Sequence, residues 1–273
     1  MLKDHIETDG FNCLANMRDG WMLYNKNDQF VGASIAKYGE FSYGEMEVFE
    51  QILDEGSYVI EVGANIGAHT LALSKQVGML GRIYAYEPQR IVFQTLCANM
   101  AINSRTNVFC FEQAASNKKD VISLPNIDYS KQANFGGISI DKFSSGRPVD
   151  VIVLDEELKD IPRLHLFKID AEGMEYKVLS GAKTIISKFK PVLYVENDRL
   201  ENSQTLIELI QSFDYRLYWH IPKLYNPNNY AKDNENIFGN IASYNMLCFH
   251  KSVQTSLNDF SEILDSSLHP LKK

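Results

Sequence analysis

From residue 58 onward the chain alternates short β-rich runs with stretches of helical period, and no other feature constrains its fold so strongly. Tyr58-Val59-Ile60-Glu61-Val62 is an apolar run halted at Gly63, and a helix is expected from about Gly67 to Val77. Arg82 to Glu87 reads as a second strand, closed by Pro88. Val92, Leu96 and Met100, with Phe93 and Cys97, fall at helical spacing, so residues 89–103 form a second amphipathic helix. Asn107 to Gln113 is a third strand. The regularity pauses after it and resumes with Leu164–Asp170, a helix marked by Val178, Ala182, Ile185 and Phe189, the strand Pro191–Glu196, and a helix marked by Leu206, Ile210 and Phe213. Tyr215–Trp219 and Tyr244–His250 follow with no helix between them. Alternation with right-handed crossovers gives a parallel sheet covered by helices on both faces, and the last two strands predict a terminal antiparallel hairpin. The expectation is an α/β fold with a mostly parallel seven-stranded sheet.

The same pass divides the chain. Residues 1–57 are expected to form a cap of helices and loops, and residues 58–273 the main domain. Within that domain an insertion spans about 114–164, with strand candidates Val121–Leu124 and Val149–Leu154 and a loop at Asn134-Phe135-Gly136-Gly137. A loop at about 220–241, rich in Asn, Tyr and Pro, is long enough to act as a lid. The 273 residues carry 27 Lys and Arg against 35 Asp and Glu, a net charge of −8 that argues against nucleic acid as a partner. No apolar run approaches the ~20 residues that span a bilayer, and the first residues show no secretory signal. Cys13, Cys97, Cys110 and Cys248 lie far apart with no CxxC pair, as reduced thiols of a cytoplasmic protein would. A homo-oligomer is compatible with this composition.

In such sheets ligands bind at the carboxyl ends of the strands, which places Gly63, Glu87, Gln113, Asp170 and Glu196 along one rim. Glu61-Val62-Gly63-Ala64-Asn65-Ile66-Gly67 joins the first strand to the first helix. Its glycines permit a tight turn and close approach of a ligand, and the helix N-terminus offers free N–H groups. Glu87, twenty residues after Gly67, can accept both hydrogen bonds of a ribose diol. A nicotinamide cofactor would call for GxGxxG, but Asn65 occupies the second glycine position. That departure, and the lack of a Tyr-x-x-x-Lys pair, count against an NAD-dependent sugar-modifying enzyme. S-adenosylmethionine has no pyrophosphate and suits the bulkier turn. Glu61 and Asp170 would set negative charge near its sulfonium, His69 could reach its carboxylate, and Gln113 and the backbone at Ala114 lie near its adenine.

At these residues the sequence resembles the FkbM-type methyltransferases. VIEVGANIGAHTLALSKQVG, GRIYAYEPQ and FKIDAEGMEYKVLSGA carry the likeness, which runs from about Tyr38 to Cys248 and departs from the family at Ala171, where Val is usual. The resemblance implies a Rossmann-like class I fold and methyl transfer from S-adenosylmethionine, most often to a hydroxyl of a sugar, glycan or natural product.

A second constellation lies at the rim. Asp170 closes the fourth strand, Glu172 stands at the turn into the next helix, and Glu196-Asn197-Asp198 closes the fifth strand. Adjacent strands are about 4.8 Å apart, so Asp170, Glu196 and Asn197 can converge as oxygen ligands for a hard cation, Mg²⁺ or Mn²⁺. The layout is similar to that of macrocin-type O-methyltransferases. That likeness implies Asp170 as first metal ligand, Glu196 and Asn197 as the second pair, and Glu172 as general base, with an Asn where an acid is usual. Glu172 could instead only cap its helix. His220, entering the long loop, is a further base candidate.

On the acceptor side, Trp219, Tyr225, Tyr230 and Phe238 stand among several asparagines, a mixture suited to a polyhydroxylated ligand. Tyr38, Ser42 and Glu45 could fold over the cofactor from the N-terminal side. The cofactor motif is blind to the acceptor, so N-methylation of a small molecule stays open, as does a non-catalytic subunit that keeps the fold.

Overall fold

The computed structural model describes residues 4–138, 145–254 and 260–272. Residues 139–144 of the expected insertion lie outside that range. The chain opens with three antiparallel strands, β1 (His5–Glu7), β2 (Asn12–Met17) and β3 (Gly20–Asn25), then two helices, α1 (Val31–Tyr38) and α2 (Tyr43–Ile52). The stretch expected as helices and loops is thus partly sheet. Its signal is period-two burial: Cys13, Ala15 and Met17 turn inward from β2, and Met22 and Tyr24 from β3. Met17 pairs with Gly20 across the two-residue turn Arg18-Asp19, and Gly20 takes φ +140°, a conformation that side chains rarely adopt.

The main body then follows as β4 (Tyr58–Val62), α3 (Ala68–Gln76), β5 (Arg82–Tyr86), α4 (Arg90–Ile102), β6 (Val108–Phe111), β7 (Ala114–Ala115), β8 (Asp120–Leu124), β9 (Arg147–Ile152), α5 (Leu154–Glu157), β10 (Leu166–Ile169), α6 (Glu175–Ser180), α7 (Lys183–Phe189), β11 (Val192–Glu196), α8 (Leu200–Ser212), β12 (Tyr215–His220), β13 (Asn245–His250) and β14 (Ser261–Glu262). The central sheet has the order β14-β12-β13-β11-β10-β4-β5-β6. Pairings from β11 through β6 are parallel, and those of β13, β12 and β14 are antiparallel. The sheet is mixed and Rossmann-like, with the expected terminal hairpin. Among the described residues it has eight strands where seven are expected, because Ser261 and Glu262, β14, pair with β12 at the edge.

Alternation along the strands builds a core on each face. Ile60, Val62, Phe167, Ile169, Leu193 and Val195 join one cluster with α6, α7 and α8. Val59, Ile83, Ala85, Leu166 and Tyr194 join the other, with α2, α3, α4 and the inward side chains of β2 and β3. The insertion supplies a small second sheet, β7-β9-β8, whose Ala114, Val149 and Val151 extend the first cluster. Among the described residues, no helix is long and apolar enough to cross a membrane.

Residues 220–241, expected as a lid, are tied to the N-terminal part. Glu40 accepts from Arg18 Nε (2.8 Å), Asn226 Nδ2 (2.8 Å) and the Tyr230 N–H (2.9 Å). The Tyr38 hydroxyl donates to the Glu235 carbonyl and accepts from the Ile237 N–H, at 2.8 and 2.9 Å. Tyr225 and Phe238 pack their rings on Tyr38.

Candidate active site

Strand register sets the geometry. Val62 pairs with Tyr86 on one side and Ile169 on the other, and Ile169 pairs with Val195. The next residues, Gly63, Glu87, Asp170 and Glu196, therefore stand in one row at the carboxyl ends, over a cavity of about 510 Å³. Gly63 has φ +84°, and a Cβ there would lie 1.7 Å from the Asp170 carbonyl oxygen, so only glycine lets β4 and β10 end side by side. Gly67, also at φ +84°, begins α3 against Leu96, which a Cβ would meet at 2.6 Å. Between them Asn65 adopts the left-handed φ of 51° and accepts the Ile66 N–H with its own Oδ1 at 2.7 Å. Asn and Asp tolerate this region better than other side chains, which explains how Asn65 can stand here.

Glu87 is buried, and both its oxygens are held: Oε2 accepts the Asn65 N–H (3.0 Å) and Oε1 the Gln89 N–H (2.9 Å). Burial outweighs those two bonds and pushes its pKa up to about 7. The carboxylate is oriented by the turn itself, and each oxygen keeps a lone pair for a ligand. Glu61, Gly63, Ala64, Asn65, His69, Gln113, Ala114 and Asp170 line the same cavity. Gly67 is not among the lining residues; its part is to start the helix. His69 is buried against Phe41 and Phe49, and burial, then Lys168, lowers its pKa to about 4, so the ring is neutral.

The acidic constellation converges differently from the expectation. Asp170, Glu172 and Glu196 each bring a carboxylate oxygen within 4.8 Å of the others. Asn197 does not join them. Its side chain is buried against the Met246 sulfur (Nδ2 to Sδ 3.2 Å), away from the cavity, because the strand alternation that aims Glu196 one way aims its neighbour the other. The third oxygen donor is Glu172. No side chain caps α6, and the turn before it is held by Glu175, whose Oε1 accepts the Ala171 and Gly173 N–H groups, both at 3.0 Å. Glu172 is thereby left for the cavity. It sits at φ 51°, an uncommon conformation for a non-glycine residue, and takes a 2.6 Å hydrogen bond from Arg199 Nη2. Burial and then Asp170 push its pKa up to about 8. Burial, then Asp170 and Glu172, also pushes Glu196 well above the ordinary carboxylate range.

His220 does not reach the cavity. Its Nδ1 lies 2.7 Å from the Tyr194 hydroxyl, burial lowers its pKa to about 4, and it packs on Phe260. The role of base foreseen for it has no geometric support. The aromatic residues of 219–241 likewise turn elsewhere: Trp219 packs on His269, and Tyr230 is exposed. The apolar and aromatic residues that line the cavity include instead Phe30, Leu224, Ile241, Tyr244 and Leu271.

Three charged lining residues carried no role in the sequence reading: Lys168, Asp198 and Arg199. The signal for Lys168 was a lone cation inside the apolar run Leu166-Phe167-Lys168-Ile169. Such a residue, buried on a central strand, must face a carboxylate. Glu61, its register partner on β4, lies 3.7 Å away and Asp170 3.6 Å. Arg199 gave no signal. In all, the carboxylates of Glu45, Glu61, Glu87, Asp170, Glu172, Glu196 and Asp198 face the cavity against two cations, Lys168 and Arg199.

A family model described as a methyltransferase FkbM domain matches residues 61–217. No curated protein is a significant match. Among solved structures, the FkbM methyltransferase of Methylobacillus flagellatus KT is 19% identical with a TM-score of 0.48, over 71% of this chain and 44% of that one. This chain thus spans less than half of that protein's length. The precorrin-6y C5,15-methyltransferase of Geobacter metallireducens GS-15 is 12% identical, TM-score 0.50, over 75% and 87% of the two chains, a likeness of fold. Aeropyrum pernix fibrillarin, solved with natively bound S-adenosyl-L-methionine, is 12% identical with a TM-score of 0.46, over 91% and 100%.

Proposed function

Because this chain belongs to the FkbM methyltransferase family, we propose that it is an S-adenosylmethionine-dependent methyltransferase that methylates a hydroxyl of a sugar, glycan or related natural product with the help of a divalent metal. The observation that carries this reading is the group of three carboxylates, Asp170, Glu172 and Glu196, beside the pocket of Glu87. In this reading Glu87 accepts the hydroxyl hydrogens of the donor's ribose. The turn from Gly63 to Asn65 admits the donor's chain, and Gln113 and Ala114 flank its adenine.

Methyl transfer breaks the bond from methyl carbon to sulfur as a bond to the acceptor oxygen forms, and the hydroxyl proton must leave. Alignment of oxygen, carbon and sulfur supplies much of the rate. Glu172 takes the proton: with its pKa raised to about 8 it is matched to general-base work near neutral pH. Arg199 holds it in place. Asp170 and Glu196 fit a hard cation. They are oxygen donors in reach of one point, and Glu196 Oε2 is buried with no hydrogen-bond partner among the described residues. Mg²⁺ is commonly held by one or two carboxylates, and when bound it supplies the positive charge that acidifies a hydroxyl.

The excess of seven carboxylates over two cations supports a second reading, N-methylation of a cationic amine. Both are tested by incubating the protein with S-adenosylmethionine and a panel of nucleotide sugars, glycans, hydroxylated metabolites and amines, with Mg²⁺ or with chelator. The expected result is S-adenosylhomocysteine together with a hydroxylated acceptor heavier by one methylene, lost under chelation. Turnover of amines alone would replace the first reading by the second, and full turnover under chelation would remove the metal.

A further inference from the structure

We propose that Glu45 and Lys168 form the pole that holds the amino-acid end of the methyl donor, its α-carboxylate on Lys168 Nζ and its α-ammonium between the Glu45 and Glu61 carboxylates. This rests on the reading that the donor occupies the cavity. Both side chains are buried and both line it. Lys168 lies 3.7 and 3.6 Å from the carboxylates of Glu61 and Asp170, beyond hydrogen-bond length, so its three N–H donors await a closer acceptor. Glu45 has one oxygen engaged, Oε1 accepting from Ser42 Oγ at 2.8 Å, and the ion pairs of Lys168 go to Glu61 and Asp170 rather than to it. A buried ammonium whose ion pairs exceed hydrogen-bond length, beside a buried carboxylate with one hydrogen bond, gains from a ligand that brings closer partners to both. A zwitterion completes both.

Position agrees with charge. Glu87 fixes the ribose at the end of β5, and the next strands over, β4 and β10, carry Glu61 and Lys168 as register partners. A chain extending from the ribose along the rim meets them next. Glu45 arrives from α2, outside the residues that the family model matches. The N-terminal part would then be a component of the donor pocket rather than only a cover.

The test compares S-adenosylhomocysteine, which has the amino-acid end, with 5′-methylthioadenosine, which lacks it, by calorimetry on wild type, Glu45→Gln and Lys168→Met. For each variant we expect about tenfold or greater loss of affinity for S-adenosylhomocysteine, as for a lost charged hydrogen bond, with 5′-methylthioadenosine affinity held within about twofold. Lys168→Met leaves acids unpaired and can fail to fold; Glu45→Gln, nearly isosteric and checked by thermal unfolding, then carries the test alone. Equal loss for both ligands, or no loss for either, overturns the assignment. A wild-type protein that binds neither ligand would overturn the donor reading itself, a result distinguishable from both.

Discussion

Replacing Glu87 with Gln separates the two things this carboxylate does. Folding lifts its pKa from the ordinary 4.5 to about 7, chiefly by burial. At about 1.36 kcal/mol per pH unit, holding it ionised in the folded chain costs roughly 3 kcal/mol above pH 7. The sign follows from the protons bound. Between the two pKa values the folded chain keeps a proton that the unfolded chain has lost. Stability from this group is therefore full below 4.5, falls as pH rises, and is gone past about 7. Gln has no such titration. It does present an NH₂ group to one of the two backbone N–H donors, of Asn65 or Gln89, at a cost of about 1–3 kcal/mol. That cost is the same at every pH and drops out of the comparison. Urea unfolding of wild type and variant without ligand, at about pH 5 and about pH 8, should show their stability difference moving by about 2–3 kcal/mol in the variant's favour at the higher pH. The other raised acids titrate in both proteins, so the change isolates Glu87. Affinity for S-adenosylhomocysteine should fall about 10- to 100-fold in the variant. Parallel stability curves would refute the reasoning, because they would mean that Glu87 is neither desolvated nor raised.

Glu172→Gln should slow turnover about 10²-fold or more while leaving S-adenosylhomocysteine affinity unchanged; normal single-turnover rates would reduce Glu172 to a partner of Arg199. Gly63→Ala should lower the thermal midpoint steeply or prevent folding, since its Cβ would meet the Asp170 carbonyl at 1.7 Å and its φ is +84°; a variant of unchanged stability would contradict the close approach of β4 and β10. Glu40→Ala removes the acceptor of Arg18, Asn226 and Tyr230 and should cost about 2–4 kcal/mol, with faster amide exchange confined to residues 220–241 and their contacts. Uniform exchange across the chain would instead place the loss in the core.

The parts of the fold that follow local rules could be read from the residues. The helix α3 was expected from about Gly67 to Val77 and spans Ala68–Gln76, placed by the glycine turn that ends β4, and α4, expected over 89–103 from its apolar period, spans Arg90–Ile102. The row of Gly63, Glu87, Asp170 and Glu196 follows from strand order alone. Side-chain direction past a strand end was harder to read. Glu196 and Asn197 are adjacent in sequence, yet only Glu196 faces the cavity, and the amide packs on Met246. Alternation continues one residue beyond the strand, a rule that could have been applied. The aromatic loop shows the opposite limit. Its Asn and Tyr content suits a sugar, but Asn226 and Asn229 spend their amides on Glu40 and on the loop's own carbonyls. Whether an amide faces outward depends on which buried acid it meets, and Glu40 is 186 positions from Asn226.

That dependence on distant partners also governs the electrostatics. Lys168 is a buried cation on a central strand, and against the lowering effect of burial Asp170, Glu61 and Glu45 each raise its pKa. Removing the N-terminal part would take away Glu45 and leave β4 and β10 unchanged in sequence. The field at the cavity is therefore not a property of the residues that carry the family motifs alone. Seven acids around two cations make an arrangement that folding tolerates only by raising several of their pKa values. Each acid so raised is poised to release its proton when positive charge enters. On the reading that a cationic donor occupies the cavity, its charge offsets the burial that, more than their mutual repulsion, raises these acids.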